Sequence, residues 1–364
     1  MSDVTERGEA APGDTVTVVD PQGRPLGTAH FSSTSQITLR MLSSSVEPLD
    51  RAFFLKRIAA AEEYRKRVVR NTTAYRLIHG EGDQLPGLVI DRYGDCFTIQ
   101  TLNQGMDRAK AEIVGVLEEL FSPRSIVQRN DVAVRKHESL PLESGVISGE
   151  ISEPVEISMN GLNLRADLLK GQKTGVFLDQ RENYVAAASY AHGQALDCFT
   201  STGGFALHMA ARCESVEAVD SSAQALTTAV ANRDSNQLRN VEFREADVFE
   251  LLAGYSSARR QFQTVVLDPP AFAKSRQHLE PALRAYKEIN LKALRLLAPG
   301  GILVTCSCSH HLGESTFFEV VAEASLDAGR KLRVLERRTQ SQDHPVLLTV
   351  PETLYLKCLI LEVL

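Results

Sequence analysis

Two short segments of this chain hold side chains able to make or break covalent bonds. The first is Thr305-Cys306-Ser307-Cys308-Ser309, where two thiols two residues apart fall on one side of an extended segment. The thiolate is the reactive form, and a cysteine at a strand end beside a ligand pocket is a candidate nucleophile. The second is Asp268-Pro269-Pro270-Ala271-Phe272. Its prolines stiffen the loop and withhold backbone donors, leaving the Asp268 carboxylate and nearby carbonyls to meet a planar base. The two segments together suit one chemistry. Attack of sulfur on carbon 6 of a pyrimidine makes carbon 5 enamine-like, and a carboxyl group that hydrogen-bonds ring nitrogen 3, or shares its proton with it, stabilises the charge that develops. An Asp-Pro-Pro loop with Phe272 beside it also suits an exocyclic amine, which needs no thiol. The plainer alternatives are a structural turn and an inert buried cysteine.

A third segment, Asp197-Cys198-Phe199-Thr200-Ser201-Thr202-Gly203-Gly204-Phe205, binds rather than reacts. Gly203 and Gly204 stand between an apolar strand and a helical run over 205–213, where a missing side chain lets backbone approach a ligand. Asp220 ends the next strand, about twenty residues on, where a carboxylate can accept from ribose hydroxyls. Asp247 ends the third, able to bond an adenine amino group while Val248 or Phe249 packs on the ring. Each acid alone could be a turn or N-cap residue. Three at successive strand ends, with the glycine loop, point to a nucleoside ligand. The loop is not Gly-x-Gly-x-x-Gly; a dinucleotide needs its pyrophosphate cradled, and S-adenosylmethionine has none.

Such residues need a scaffold that gathers strand ends, and the C-terminal half supplies one. Apolar runs over 194–199, 216–220, 241–247, 264–268, 302–306, 332–336 and 354–363 alternate with helical periods, the pattern of an α/β fold with a mostly parallel sheet. No helical pattern separates the last two, so they read as an antiparallel hairpin at one edge. Ligands bind such a sheet outside the carboxyl ends of its strands, where all three segments fall. Upstream, 15–19 and 36–42 alternate around the turn signal Asp20-Pro21-Gln22-Gly23 and predict a small β unit. A basic helix over 50–70 carries Lys56, Arg57, Arg65, Lys66, Arg67 and Arg70 and reads as a solvated cationic face. Strands at 87–91, 96–100 and 125–129 and a helix at 106–121 predict a central α+β unit, with a second basic cluster at Arg135-Lys136. The expected division is 1–48, 49–72, 73–180 and 181–364.

Composition narrows the classes. Hydrophobic residues at 43% and charged residues at 24% are ordinary for a globular chain, so neither wholesale disorder nor a membrane protein is indicated. The start, Met1-Ser2-Asp3-Val4-Thr5-Glu6-Arg7, lacks the apolar run of a secretory signal, which makes the cytoplasm the expected location. A formal net charge of −6 argues against coating nucleic acid through bulk charge. The 6 cysteines are scattered and form neither a disulfide framework nor a zinc pattern, so no metal is expected.

The motifs quoted so far, together with Tyr75-Arg76-Leu77-Ile78, Asp83-Gln84-Leu85-Pro86-Gly87-Leu88, Asp131-Val132-Ala133-Val134-Arg135-Lys136, Gly171-Gln172-Lys173-Thr174-Gly175, Leu178-Asp179-Gln180-Arg181 and Asp343-His344-Pro345, resemble a family. It is that of the bacterial large-subunit (23S) rRNA cytosine carbon-5 methyltransferases and their close relatives, and the resemblance spans nearly the whole chain. It implies a PUA-type RNA-binding barrel, a central α+β domain and a Rossmann-like catalytic domain using S-adenosylmethionine, often as a homodimer acting on rRNA before full subunit assembly. Its Ser-Cys-Ser falls on Ser307-Cys308-Ser309, which makes Cys308 the implied nucleophile and Cys306 a competing match. Asp268 would assist it, while Pro269, Pro270, Phe272 and Lys173 would meet the substrate. Gln180 and Arg181 would contact the cofactor's amino-acid end, unless they only begin a capped helix. The barrel departs from the pattern: relatives carry a basic, aromatic segment before the point matching Gly13, and the acidic 1–12 is too short to supply it. Two other readings stay open, an amino-nitrogen methyltransferase on an RNA purine and an RNA-binding ribosome-assembly factor with little catalysis.

Overall fold

The computed structural model describes residues 4–151, 154–171, 174–273 and 276–364. The chain divides into two compact units, one of Met1–Gly161, Ala166–Leu178 and Gln342–Thr353, the other of Leu162–Arg165, Asp179–Ser341 and Leu354–Leu364. Among the described residues no helix is long and apolar enough to cross a membrane.

The first unit opens with β1 (Thr15–Val19), β2 (Pro25–Phe31) and β3 (Leu39–Ser43), an antiparallel sheet in that order. The Asp20 side chain accepts from the backbone N–H of Gln22 and Arg24, which makes the turn between β1 and β2. Helix α1 (Arg51–Val68) is capped by Asp50, whose carboxylate accepts from the Phe53 N–H. A sheet of β4 (Ala74–His79), β5 (Leu88–Tyr93), β6 (Cys96–Thr101), β7 (Ser125–Arg129) and β8 (Ser144–Gly149) follows, with β6 and β7 parallel and the other neighbours antiparallel. Helices α2 (Gln104–Arg108) and α3 (Lys110–Phe121) divide what the sequence reads as one helix. Phe54, Ile58, Leu77, Ile99 and Leu117 fill the core between α1, α3 and this sheet. Along the chain come β9 (Val155–Met159) and β10 (Leu162–Ala166).

Two basic residues expected on solvated faces are interior. Arg65 is 1% exposed; its guanidinium forms a fork on the Asp83 carboxylate and donates to the carbonyls of Arg76 and Asp343. The Asp343 carboxylate in turn accepts from the Arg76 N–H at 2.8 Å. Buried Arg135 donates to the Thr101 carbonyl and the Asp107 carboxylate. A guanidinium is tolerated there because it meets a carboxylate and backbone carbonyls, although Arg135 Nη2 has no hydrogen-bond partner among the described residues.

The second unit is built on seven strands: β11 (Gln194–Cys198), β12 (Ser215–Asp220), β13 (Val241–Glu245), β14 (Phe262–Leu267), β15 (Leu297–Ser307), β16 (Leu332–Arg338) and β17 (Lys357–Val363). Their spatial order is β13-β12-β11-β14-β15-β17-β16. β17 lies between β15 and β16 and runs antiparallel to both, so the edge pair expected from the sequence is present with its last strand inserted inward. Helices α4 (Arg181–Tyr190), α5 (Gly204–Met209), α6 (Ala223–Ser235), α7 (Val248–Ser257), α8 (Leu279–Leu296) and α9 (Glu314–Asp327) connect the strands. On α8 the buried positions Ala282, Tyr286, Ile289, Asn290, Ala293 and Leu294 recur at helical spacing and join Val265, Leu303 and Phe317 in the core. Each such large side chain removed from water contributes roughly 1.5–3 kcal/mol.

Candidate active site

Where β11 ends, the chain makes a tight loop in which Phe199, Ser201 and Gly203 all take positive φ, at 65°, 50° and 91°. Such backbone persists only when other bonds fix it. Asp197 supplies two of them, one oxygen accepting from Thr200 Oγ1 at 2.6 Å and from the Ala206 N–H at 2.9 Å. Its other oxygen is buried and has no protein donor. Burial pushes the Asp197 carboxyl up to about 7, against the pull of the Thr200 and Ala206 hydrogen bonds. Asp220 accepts from the backbone N–H of Ser201 and of Ser222, both at 2.9 Å, and so holds the loops after β11 and β12 together. Thr202 offers its carbonyl to the Asn232 amide. Gly204 has no room for a side chain: a Cβ there would lie 2.4 Å from the Tyr184 ring. That ring packs edge-on against Phe205, with centroids 4.8 Å apart.

Asp247 stands two residues beyond β13, which ends at Glu245, and caps α7 by accepting from the Glu250 N–H at 3.0 Å. The strand is therefore shorter than the expected 241–247, because Asp247 has turned to serve the helix. Val248 is a core residue, whereas Phe249 is only partly covered and faces Phe272 at 6.0 Å between centroids.

The second half of the site lies after β14 and β15. Asp268 follows β14 directly and accepts from Gln180 Nε2 at 3.0 Å. Gln180 is buried; its own oxygen accepts from Asn183 Nδ2 at 2.7 Å, and Asn183 Oδ1 accepts from Arg338 Nε at 2.9 Å. A buried amide relay thus runs from the β16 edge to the Asp-Pro-Pro loop. Pro269 is buried and Pro270 exposed. Phe272 bridges Phe249 and Tyr286, its centroid 4.7 Å from the latter.

The two candidate thiols part company because β15 ends between them. Cys306 is 0% exposed within the strand and is paired in register with Cys358; burial and that neighbouring thiol push it well above the usual cysteine range. Cys308, one residue past β15, is half-buried, while the other five cysteines are buried. Its flanking serines are held by one side chain. Tyr286 OH meets Ser309 Oγ at 3.0 Å and receives the Ser307 hydroxyl at 2.9 Å. Ser309 Oγ also accepts from the Ala273 N–H at 3.3 Å, which ties the Asp-Pro-Pro loop to the cysteine loop. Across the sheet, Lys357 pairs in register with Ser307 and donates through Nζ to the carbonyls of Ser309 and Tyr355, at 2.7 and 2.8 Å.

Asp197, Asp220 and the glycine loop thus form one cluster, and Gln180, Asp268, Phe272 and Cys308 a second at adjoining strand ends. The Arg181 guanidinium is buried and paired with Glu182 at 3.2 Å. Lys173 lies outside the described residues. Sequence reasoning missed Tyr184, Asn183, Tyr286 and Lys357. A signal existed for Lys357, a lone cation inside the apolar run Leu356–Leu361.

A mostly parallel sheet that presents a glycine loop after its first strand, acids after the second and third, and an Asp-Pro-Pro loop after the fourth defines an α/β methyltransferase. The chain belongs to the S-adenosylmethionine-dependent methyltransferase family, whose model matches residues 76–360, and a PUA-like domain matches residues 2–44. It is 43% identical over 365 residues to a ribosomal RNA large subunit methyltransferase I of Shewanella amazonensis, covering 98% of this chain and 92% of that protein. A protein of the same name from Salmonella arizonae is 40% identical over 358 residues, covering 96% and 89%. Among solved structures, one from Streptococcus mutans described as a SAM-dependent methyltransferase matches with TM-score 0.83 at 22% identity, covering 97% and 92% of the two chains. A methyltransferase complexed with SAH matches with TM-score 0.85 at 21% identity, covering 98% and 93%; these two likenesses concern the fold.

S-adenosylmethionine is the cofactor of this family, and the residues present fit it. The Asp197 oxygen without a protein donor is a ready acceptor for an ammonium or hydroxyl.

Proposed function

We propose that the protein methylates carbon 5 of a cytosine in large-subunit ribosomal RNA through a covalent adduct with Cys308. The observation that carries the mechanism is the half-buried Cys308, fixed between two serines on Tyr286 and tied through Ser309 and Ala273 to the loop that bears Asp268. The names of the relatives support ribosomal RNA as the substrate, and a cytoplasmic location accords with that reading.

In this reading the Asp197 and Asp220 cluster, with Gly203 and Gly204, holds the cofactor, and Phe249 covers its ring. S-adenosylmethionine, when bound, supplies the electrophilic methyl group. Cys308 sulfur adds to carbon 6 of the cytosine, and the electron pair displaced from the 5,6 double bond makes carbon 5 nucleophilic. Asp268, oriented by Gln180 on one oxygen, shares a proton held on the other with ring nitrogen 3 and so stabilises the negative charge that develops there. After methylation a base takes the carbon 5 proton, the electron pair of that bond re-forms the 5,6 double bond, the carbon 6–sulfur bond breaks and the thiolate leaves. Phe272 and Pro270 are assigned to a base taken out of its stack, and the need to unstack that base favours rRNA not yet folded into a finished subunit. A homodimer accords with the resemblance and is read directly by light scattering.

The test is methyl transfer to rRNA from cells lacking the gene, with the modified nucleotide mapped by mass spectrometry. Cys308→Ala is expected to abolish transfer while leaving cofactor binding within a few-fold. Undiminished transfer by Cys308→Ala, or label on a purine nitrogen, would overturn the reading.

A further inference from the structure

Lys357 is the one side chain at the cysteine loop whose cost the mechanism above leaves unexplained. It is 5% exposed, at the start of β17 ahead of four apolar residues, and a lysine so placed carries a desolvation penalty unless something anionic compensates. Its Nζ is anchored on two carbonyls, Ser309 O at 2.7 Å and Tyr355 O at 2.8 Å. Neither is an anion. Two groups favour its charged form, Cys308 and Glu314, and the Glu314 carboxylate is already paired with Arg337 at 2.9 Å. Cys308 is bracketed by the lysine's contacts: Ser307 is its register partner and Ser309 its acceptor.

We propose that Lys357 is a positioning residue that holds Cys308 as a thiolate, the buried ammonium and the sulfur forming an ion pair. The inference rests on Cys308 being the nucleophile. The groups that face the pair agree with it. On α8, Tyr286 spends its hydroxyl on Ser307 and Ser309 and carries no charge to the loop. Glu314 opens α9 and is neutralised by Arg337. Tyr355 is tied to the Asp179 carboxylate at 2.8 Å and stacks on His310 with centroids 5.2 Å apart, so its carbonyl stays turned to Lys357 by a fixed side chain. Burial pulls the Lys357 ammonium down to about 8, with Cys308 and Glu314 opposing that fall. A cation poised near neutrality is kept charged by an adjacent thiolate, and the thiolate is kept ionised by the cation.

The experiment is alkylation of Cys308 by iodoacetamide in the full chain, without cofactor or RNA, from pH 6 to 10, with mass spectrometry of the peptide bearing Cys308. The other cysteines are buried, so the reagent reports on this thiol. In the parent protein the profile is expected to reach half-height at least one unit below the ordinary thiol value of about 8.5. Lys357→Met is expected to move it back to that value or above, slowing alkylation at pH 7 about tenfold or more, and Lys357→Arg to keep most of the shift. A parent profile at or above the ordinary value, or a Lys357→Met profile that superimposes on the parent, overturns the proposal. Should Lys357→Met fail to fold by circular dichroism, the parent profile still decides. Retained methyl transfer by Cys308→Ala would instead remove the nucleophile reading, a result the alkylation profile does not depend on.

Discussion

Gln180 and Asp268, 88 residues apart in the chain, are joined by a 3.0 Å hydrogen bond from the Gln180 amide to the carboxylate. The amide cannot rotate freely, because its oxygen is spent on Asn183, and Asn183 is spent on Arg338 and the Thr339 carbonyl. The Asp268 carboxylate is therefore aimed by a buried chain that ends at the sheet edge.

Replacing Gln180 by Leu leaves Asp268 and Asn183 each short of a partner. A hydrogen bond to a charged group is worth roughly 1.5–3 kcal/mol, which predicts a fall in kcat of about 10- to 100-fold with KM for the cofactor within a few-fold. Gln180→Glu should be worse at pH 8 than at pH 6, since one carboxylate of the resulting pair takes up a proton as pH falls. Steady-state kinetics at the two pH values check both, and a Gln180→Leu kcat equal to the parent's would dismiss the aiming role.

Gly204→Ala sets a methyl group 2.4 Å from a Tyr184 ring carbon, with the tyrosine packed in turn on Phe205. Overpacking of this kind costs about 1–3 kcal/mol, and the melting temperature should drop accordingly. Tyr184→Leu in the same chain opens the space and should return part of the loss. Calorimetry of the four-member cycle reads the coupling; strictly additive effects would mean that the two residues do not collide.

Asp197 makes stability depend on pH in a direction opposite to most carboxylates. Its folded value of about 7 lies above the ordinary 3.8, so the folded protein binds the extra proton between these limits, and the contribution fully present below 3.8 is lost as pH rises to 7. Asp197→Asn removes the titration while keeping the shape. The variant should match the parent only below the ordinary carboxyl value, and its advantage should widen by about 3 kcal/mol between pH 5 and pH 8 when no cofactor is present. Thermal unfolding at both pH values checks this, and a difference that stays constant across the range would rule it out.

Tyr286→Phe deletes the hydroxyl that holds both serines beside Cys308 while keeping the ring packed at a tilt against Phe272. Loosening the loop is expected to lower kcat by about 10-fold or more and to leave cofactor affinity unchanged, since misplacement of a reacting group by about 1 Å can cost 10²-fold. Isothermal titration alongside single-turnover kinetics separates the two quantities.

The strands and the glycine loop are legible in the sequence because each is announced by local pattern: apolar runs for the sheet, and paired glycines where backbone must turn. The inward insertion of β17 is not, since the pairing of 357–363 with both β15 and β16 depends on side chains far apart in the chain. Cys308 and Cys306 look alike on paper and differ in the fold because β15 stops at Ser307. Gln180 reads from the family resemblance as a cofactor contact, yet its amide is committed to Asp268 and Asn183. Arg65 and Arg135 pass for surface charge because nothing local reveals the carboxylates and carbonyls that meet them. The motifs around Arg76, Asp83 and Asp343 turn out to be one network, assembled about the Arg65 guanidinium.

That network sets a timetable for the newborn chain. Arg65 and the Arg76 N–H lie in the first quarter of the sequence, while the carbonyl and carboxylate they share belong to residue 343 of 364. During synthesis the amino-terminal unit can collapse around its sheet and helices, but its buried guanidinium waits for a carbonyl 278 residues further along the chain. The unit that emerges early from the ribosome is thus finished only after most of the catalytic sheet has been made.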